Sequence, residues 1–190
     1  MSTTENTEAA PTAPEVEAIV ESIKRGDDPY VVPEELLVEP EAPKQVNPSL
    51  YNQILSMKVG EKLKLALKGN KEARTILVRD PNRLIQRFVL QNPRLTDEEV
   101  LAIAKNRGID QDLLRKIAEH RNWPRNYQIR LALVTNPKTP LGTALPLVSQ
   151  LGERDLRFVA KSKNVSATVV TQARRLLFNR EKKLGQRMEG

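Results

Sequence analysis

The residues best suited to chemistry lie in one stretch, residues 118–140. It contains the only histidine and the only tryptophan of the 190-residue chain, His120 and Trp123, and Tyr127 follows closely. Three arginines, Arg121, Arg125 and Arg130, lie among them. A lone histidine serves as a catalytic base when a carboxylate holds it, and Glu119 is its neighbour in sequence. Nothing else in the stretch completes such an arrangement, so we expect His120 to be a turn or surface residue.

Other catalytic patterns are also missing from the sequence. The carboxylates of Asp97, Glu98 and Glu99 follow Thr96 and are placed to interact with the positive end of a helix. The chain has no cysteine and one histidine, which excludes thiolate metal sites and two-histidine zinc motifs. Its glycines are isolated and form no phosphate-binding loop. We therefore predict that the protein is not an enzyme and has no catalytic, cofactor-binding or metal-binding residues and no cofactor.

Charge is divided unevenly along the chain. Residues 1–46 contain 11 acidic and 3 basic residues, whereas residues 47–190 contain 28 basic and 13 acidic residues, a net charge of +15. A magnitude of about 2–8 is usual for a small soluble domain. This asymmetry favours an anionic macromolecule as the partner of the basic body.

Residues 1–46 are expected to form an acidic, mostly disordered arm, because residues 1–14 contain few bulky apolar side chains and prolines recur from Pro29 onward. A short amphipathic helix is predicted near residues 15–25, with Val16, Ile19, Val20 and Ile23 on one face. That helix either docks on the protein's own body or binds another protein. We expect the proline-rich strap that follows, residues 27–47, to pack along the body and shield its basic surface.

No secretory signal and no membrane-spanning apolar segment is recognisable, so the sequence predicts a cytoplasmic protein without a membrane span. The short helices predicted from Pro48 onward give a basic helical-repeat domain over residues 47–180 and a basic tail over 181–190. Residues 104–118 align with residues 160–174, and residues 90–104 share their register. Each unit has a turn, an apolar anchor, a capping residue and about two and a half helical turns.

Capping residues support these repeats. Thr96 and Glu99 have the spacing of a capping box, Asp110 and Ser166 take the same position, and Thr139 is predicted to cap a helix that begins at Pro140. Helix starts recur every 14 or 15 residues. We expect eight to ten short stacked helices.

The units QNPRLTDEEVLAIAKNR, TNPKTPLGTALPLV and KSKNVSATVVTQARRLL resemble HEAT-like and leucine-rich-repeat-variant helical repeats. The resemblance covers about residues 70–178 and implies an all-α fold, a short right-handed α-solenoid of stacked helices. Some leucine-rich-repeat variants hold a cysteine-bound iron–sulfur cluster, which this cysteine-free chain cannot bind. The segments GNKEAR and ARRLL, with the Trp123 stretch, also resemble an uncharacterised bacterial family, which implies no activity.

Corresponding turns of a solenoid stack along one edge, so basic turn residues are predicted to form a ridge that binds nucleic-acid phosphates or other anions. The candidate residues are Lys105, Arg107, Arg121, Arg125, Lys161, Lys163, Arg174 and Arg175. Trp123 and Tyr127 are candidates for stacking on unpaired bases. The alternative for Trp123 is a core anchor, since it takes the place of Ile109 in the repeat, and Tyr127 could equally pack between helices.

Two functions remain open on this sequence. The leading prediction is a non-enzymatic binding module whose basic face engages nucleic acid or a ribonucleoprotein. The alternative is an adaptor or scaffold that uses the concave helical surface and the N-terminal arm to bind an acidic protein partner. The sequence does not predict an oligomeric state.

Overall fold

The fold is all-helical across the residues that the structure, a computed structural model, describes, namely 11–40 and 48–188. The arm contains α1 (Ala13–Arg25) and a 3₁₀ turn (Glu34–Leu36). The body contains α2 (Pro48–Ser56), α3 (Val59–Lys68), α4 (Lys71–Leu77), α5 (Arg83–Val89), α6 (Asp97–Lys105), α7 (Gln111–Glu119), α8 (Tyr127–Thr135), α9 (Leu141–Val148), α10 (Glu153–Lys161) and α11 (Ala167–Met188). A second 3₁₀ turn, Trp123–Arg125, separates α7 from α8. The predicted all-α class is therefore confirmed.

Helix α1 is docked on the body. Its first turn is capped by Glu15, whose carboxylate accepts a hydrogen bond from the backbone N–H of Thr12 (2.7 Å), and it ends at Gly26 with φ of 86°. The apolar face predicted from the sequence is buried through Val16, Val20 and Ile23, and α1 packs against α3. This agrees with docking on the protein's own body and leaves that face covered.

The strap after α1 also lies on α3. The ring of Tyr30 covers Gly60 so closely that a Cβ at position 60 would lie 2.0 Å from it. Leu36 in the 3₁₀ turn is fully buried. The strap therefore packs along the body, as expected, whereas the broader expectation of a mostly disordered arm is wrong for residues 11–40, because their apolar side chains find buried sites on the body. Residues 1–10 and 41–47 lie outside the described residues.

Two carboxylates of the arm pair with the body. Asp28 lies 2.8 Å from the ammonium of Lys64, and Glu39 lies 2.6 Å from Arg74. Partial burial alone would raise the pKa of both carboxyls. It is outweighed at Asp28 by hydrogen bonds from Lys64 and the backbone of Tyr30, and at Glu39 by those from the backbone of Lys71 and from Arg74, so both pKa values are lowered.

Six of the inter-helix loops that the structure describes open with the same turn. In each, a side chain accepts a hydrogen bond from the backbone N–H two residues later, at 2.8–3.3 Å. The accepting residues are Asp80, Asn92, Asn106, His120, Asn136 and Ser162. His120 is therefore a turn residue that uses its Nδ1 where other loops use an Asn or Asp oxygen, as the sequence interpretation expects.

An anchoring side chain lies three residues after several of these turn residues. Ile109, Trp123 and Val165 occupy that position and are buried, and so does Thr139. The prediction that Thr139 caps α9 is wrong by one residue, because the N-cap position belongs to Pro140. The hydroxyl of Thr139 is buried without a hydrogen-bond partner among the described residues. By contrast, Thr96 and Glu99 form the predicted capping box.

Asparagine side chains fix alternate helices side by side. The amide of Asn136, at the end of α8, donates to the carbonyls of Ala104 (2.8 Å) and Asn106 (3.1 Å) at the end of α6. At the other end, Asn126 bonds to Asp97 (3.1 Å). Helices α6 and α8 therefore run parallel in contact. Asn92 repeats this clamp between the ends of α5 and α3, and one continuous apolar core runs from α1 to α11.

Candidate nucleic-acid interface

All eight cations predicted to bind anions are exposed. None of them forms an ion pair with a described carboxylate, whereas six basic residues of the N-terminal half do so. Between residues 100 and 182 the chain has 16 basic and 6 acidic residues, a net charge of +10. The C-terminal half is therefore the part of the molecule with uncompensated positive charge.

These cations do not form one line. Lys105 and Arg107 lie at the C-terminal end of α6, and the Asn136 clamp brings the loop that carries Lys138 beside them. Arg121 and Arg125 precede Asn126, whose side chain bonds to Asp97, the first residue of α6. Asp97 and Lys105 lie at opposite ends of α6, about 12 Å apart along the helix axis. The single ridge expected from the sequence is wrong because consecutive helices run in opposite directions, so their turns alternate between two edges.

A further basic group surrounds the α10–α11 turn. Lys161 ends α10 and Lys163 lies in the turn, while the guanidinium of Arg174 on α11 donates to the carbonyl of Ala160 (3.0 Å). This contact holds Arg174 next to the two lysines. Arg175, its neighbour, makes no such bond and points to solvent.

Trp123 takes its place in the core. Its side chain is only 9% exposed, and its ring is stacked on the imidazole of His120 with 3.7 Å between centroids. The face that would meet a base is thus occupied by the protein itself. The structure agrees with the core-anchor alternative for Trp123.

Tyr127 is engaged with the start of α10. Its hydroxyl donates to Asp155 and accepts from the backbone N–H of Gly152 (3.1 Å), and the guanidinium of Arg130 lies 5.8 Å from the ring centroid. Partial burial, followed by the hydrogen bond to Asp155, raises the pKa of the Tyr127 hydroxyl. The ring packs between helices, and its polar tip ties α8 to α10.

Two features escaped sequence reasoning. The first is a pair of exposed phenylalanines, Phe158 and Phe178, which the repeat alignment passes over. The second is the buried Arg74, whose guanidinium donates two hydrogen bonds of 2.9 Å to Glu99 and one of 2.6 Å to Glu39. A helical wheel of α10 and α11 would have shown the exposed aromatics, but no sequence signal marks Arg74 as buried.

Arg74 and Glu99 lie in the wall of an open groove of about 790 Å³ between α4 and α6. The groove has an apolar floor that includes Val78, Val89 and Ile103, and a rim of mixed charge with Lys71, Arg79 and Glu98. Its volume suits a small ligand or a short peptide.

No group of three or more His, Asp or Glu side chains suitable for a metal ion occurs within the described ranges. No helix in the part of the chain described is both long and apolar enough to cross a membrane. Comparison with protein-family models, curated proteins and solved structures finds no match for this chain. The resemblance to HEAT-like repeats and to the uncharacterised bacterial family therefore stays a prediction based on the sequence units.

Proposed function

We propose that this protein is a non-enzymatic binding module whose basic C-terminal half engages an anionic macromolecule, with nucleic acid or a ribonucleoprotein as the favoured partner. The observation that carries the proposal is the set of eight exposed cations that no described carboxylate neutralises. Polyanion backbones are bound largely by such charges. The repeated turns and parallel helix pairs support a short solenoid as the scaffold that presents them.

The arm does not oppose this binding by covering those cations. Its paired carboxylates, Asp28 and Glu39, contact Lys64 and Arg74, which belong to α3 and α4. No carboxylate in residues 11–40 pairs with any of the eight candidate residues. We therefore expect removal of the arm to change affinity less than reversal of charge in the C-terminal half.

Charge reversal tests the proposal. Labelled single-stranded and duplex oligonucleotides are titrated with the protein in 50 mM and 200 mM salt. If 6–10 phosphates are contacted, affinity should fall about 10³- to 10⁵-fold between the two conditions. Separate double variants then probe the two edges and the α10–α11 turn: Lys105→Glu with Arg107→Glu, Arg121→Glu with Arg125→Glu, and Lys161→Glu with Lys163→Glu.

The matched control is Lys58→Glu with Arg87→Glu, which changes net charge equally at two exposed cations of the N-terminal half. At least one C-terminal variant should bind less than a tenth as tightly as the control. Equal affinity of all four variants, or binding by the wild-type chain that salt does not weaken, would reject the proposal.

The groove between α4 and α6 favours a second function, an adaptor for protein partners. Its cations, Lys71 and Arg79, suit an acidic peptide whose apolar side chain reaches Val78. The arm helix is not available for this role while Val16 and Ile23 are buried on the body. Partner binding that is abolished by a Val78→Asp variant that still folds, and that Lys161→Glu with Lys163→Glu leaves intact, would favour the adaptor.

A further inference from the structure

The chain contains three phenylalanines, and two of them are exposed on the last two helices. Phe158 on α10 is 63% exposed and Phe178 on α11 is 66% exposed. A single exposed aromatic residue needs no explanation. Here both occur on one pair of packed helices, in the half of the protein that carries the uncompensated positive charge.

Each phenylalanine lies between two cations on its own helix. On α10, Arg154, Phe158 and Lys161 follow a spacing of four and three residues, which places them on one helical face. On α11, Arg175, Phe178 and Lys182 follow a spacing of three and four residues. All six side chains are exposed, and none of the four cations forms an ion pair or side-chain hydrogen bond with a described residue.

The two faces belong to one surface. Helices α10 and α11 pack together, and the ion pair of Arg157 with Glu181 (3.9 Å) and the bond from Arg174 to Ala160 join them along their length. The sides of the two helices opposite the phenylalanines face the core, because Leu156 and Val159 on α10 and Ala173 on α11 are buried there. The two cation–phenylalanine–cation stripes therefore face outward from the same helix pair.

We propose that this surface stacks the unpaired bases of a single-stranded nucleic acid on Phe158 and Phe178 while the four cations hold the flanking phosphates. The inference rests on the proposed function and gives it a location and a preference for single strands. Exposed aromatic rings within a positively charged surface are how sequence-tolerant proteins bind single strands. The cations lie about 4.5–6 Å along the helix axis on either side of each ring, within reach of the phosphates next to a stacked base.

The other exposed side chains of these helices argue against a membrane or a second apolar surface as the occupant. Apart from the phenylalanines, the exposed positions of α10, and of α11 up to Lys182, where the description of side chains ends, carry charged, polar or alanine side chains. An interfacial membrane helix needs a large apolar face, and two isolated rings do not provide one. Stacking uses single rings with polar surroundings, which is what these helices present.

The test compares wild-type protein with Phe158→Ala Phe178→Ala. The probes are a fluorescein-labelled 15-nucleotide oligo(U), a duplex of the same length, and inorganic polyphosphate, which has charge but no bases. If each ring stacks one base, oligo(U) affinity should fall at least about 25-fold, fivefold per ring. The salt slope and the polyphosphate affinity should not change, because no cation is removed. Phe158→Trp Phe178→Trp should restore oligo(U) binding.

Tyr51→Ala is the control, since Tyr51 is 40% exposed on α2, outside the basic half. Thermal unfolding of each variant verifies folding, which we expect to be unchanged because the rings are exposed. Wild-type protein that binds no oligonucleotide in 50 mM salt rejects the proposed function itself. Wild-type binding that the double alanine variant retains rejects only the stacking surface. The stacking surface is also rejected if the double alanine variant binds oligo(U) as tightly as wild type but loses binding to anionic lipid vesicles or loses self-association.

Discussion

Replacement of Arg74 by methionine should destabilise the protein strongly. Arg74 is 2% exposed, and two of its nitrogens lie 2.9 Å from the two carboxylate oxygens of Glu99, which is itself buried. Methionine fills similar space but leaves the Glu99 carboxylate buried without its cationic partner, with only the hydrogen bonds that Thr96 donates to it. Loss of one member of a buried pair costs about 3–5 kcal/mol in the free energy of unfolding.

For a chain of this length, a loss of 3–5 kcal/mol corresponds to a decrease of about 6–20 °C in Tm. Urea unfolding followed by circular dichroism measures the free energy, and calorimetry measures Tm. Arg115→Met is the matched control, because Arg115 is exposed and its ion pair with Asp112 (2.8 Å) lies on the helix surface, where such pairs contribute about 0–1 kcal/mol.

A double-mutant cycle separates the stranded charge from the lost volume. Glu99→Gln removes the charge, so Arg74→Met Glu99→Gln should be less destabilised than the sum of the two single variants by more than about 1 kcal/mol. Additive effects, or a loss below about 1 kcal/mol for Arg74→Met alone, would refute the conclusion that this pair is a buried link between α4 and α6.

Two further perturbations probe the turns and the arm. Asn136→Ala removes two hydrogen bonds to carbonyls at the end of α6 and one within the turn, so it should lower the free energy of unfolding by about 2–4 kcal/mol. The control, Asn106→Ala, loses only a turn hydrogen bond and should cost about 1 kcal/mol. Equal losses of the two variants in urea unfolding would contradict the clamp. Because the folded-state pKa values of Asp28 and Glu39 are lowered, their contribution to arm docking is present above their unfolded pKa values, near 4, and is lost as pH falls through the lower folded values. NMR signals of the Ile23 methyl groups should therefore report release of α1 upon acidification, and α1 that stays docked at pH 2 would show that burial alone holds it.

The helices themselves were predictable because their signals are local. The spacing of Val16, Val20 and Ile23 predicted α1, and Thr96 with Glu99 marked the start of α6. Such signals depend on side chains within one or two turns of each other, so they are legible without a tertiary structure. The repeat register also identified Trp123 as a counterpart of the buried Ile109.

Sequence alone determined composition, division of charge, the positions of helices with strong local signals, such as α1 and α6, and the exposure of the basic turn residues. The tertiary structure decided what lies next to what. The predicted ridge is divided between two edges because successive short helices reverse direction. Trp123 is buried against His120, and the hydroxyl of Tyr127 is hydrogen-bonded to Asp155. The tertiary structure also buried the Arg74–Glu99 pair and left Phe158 exposed, since the burial of a side chain depends on packing between helices that are distant in sequence.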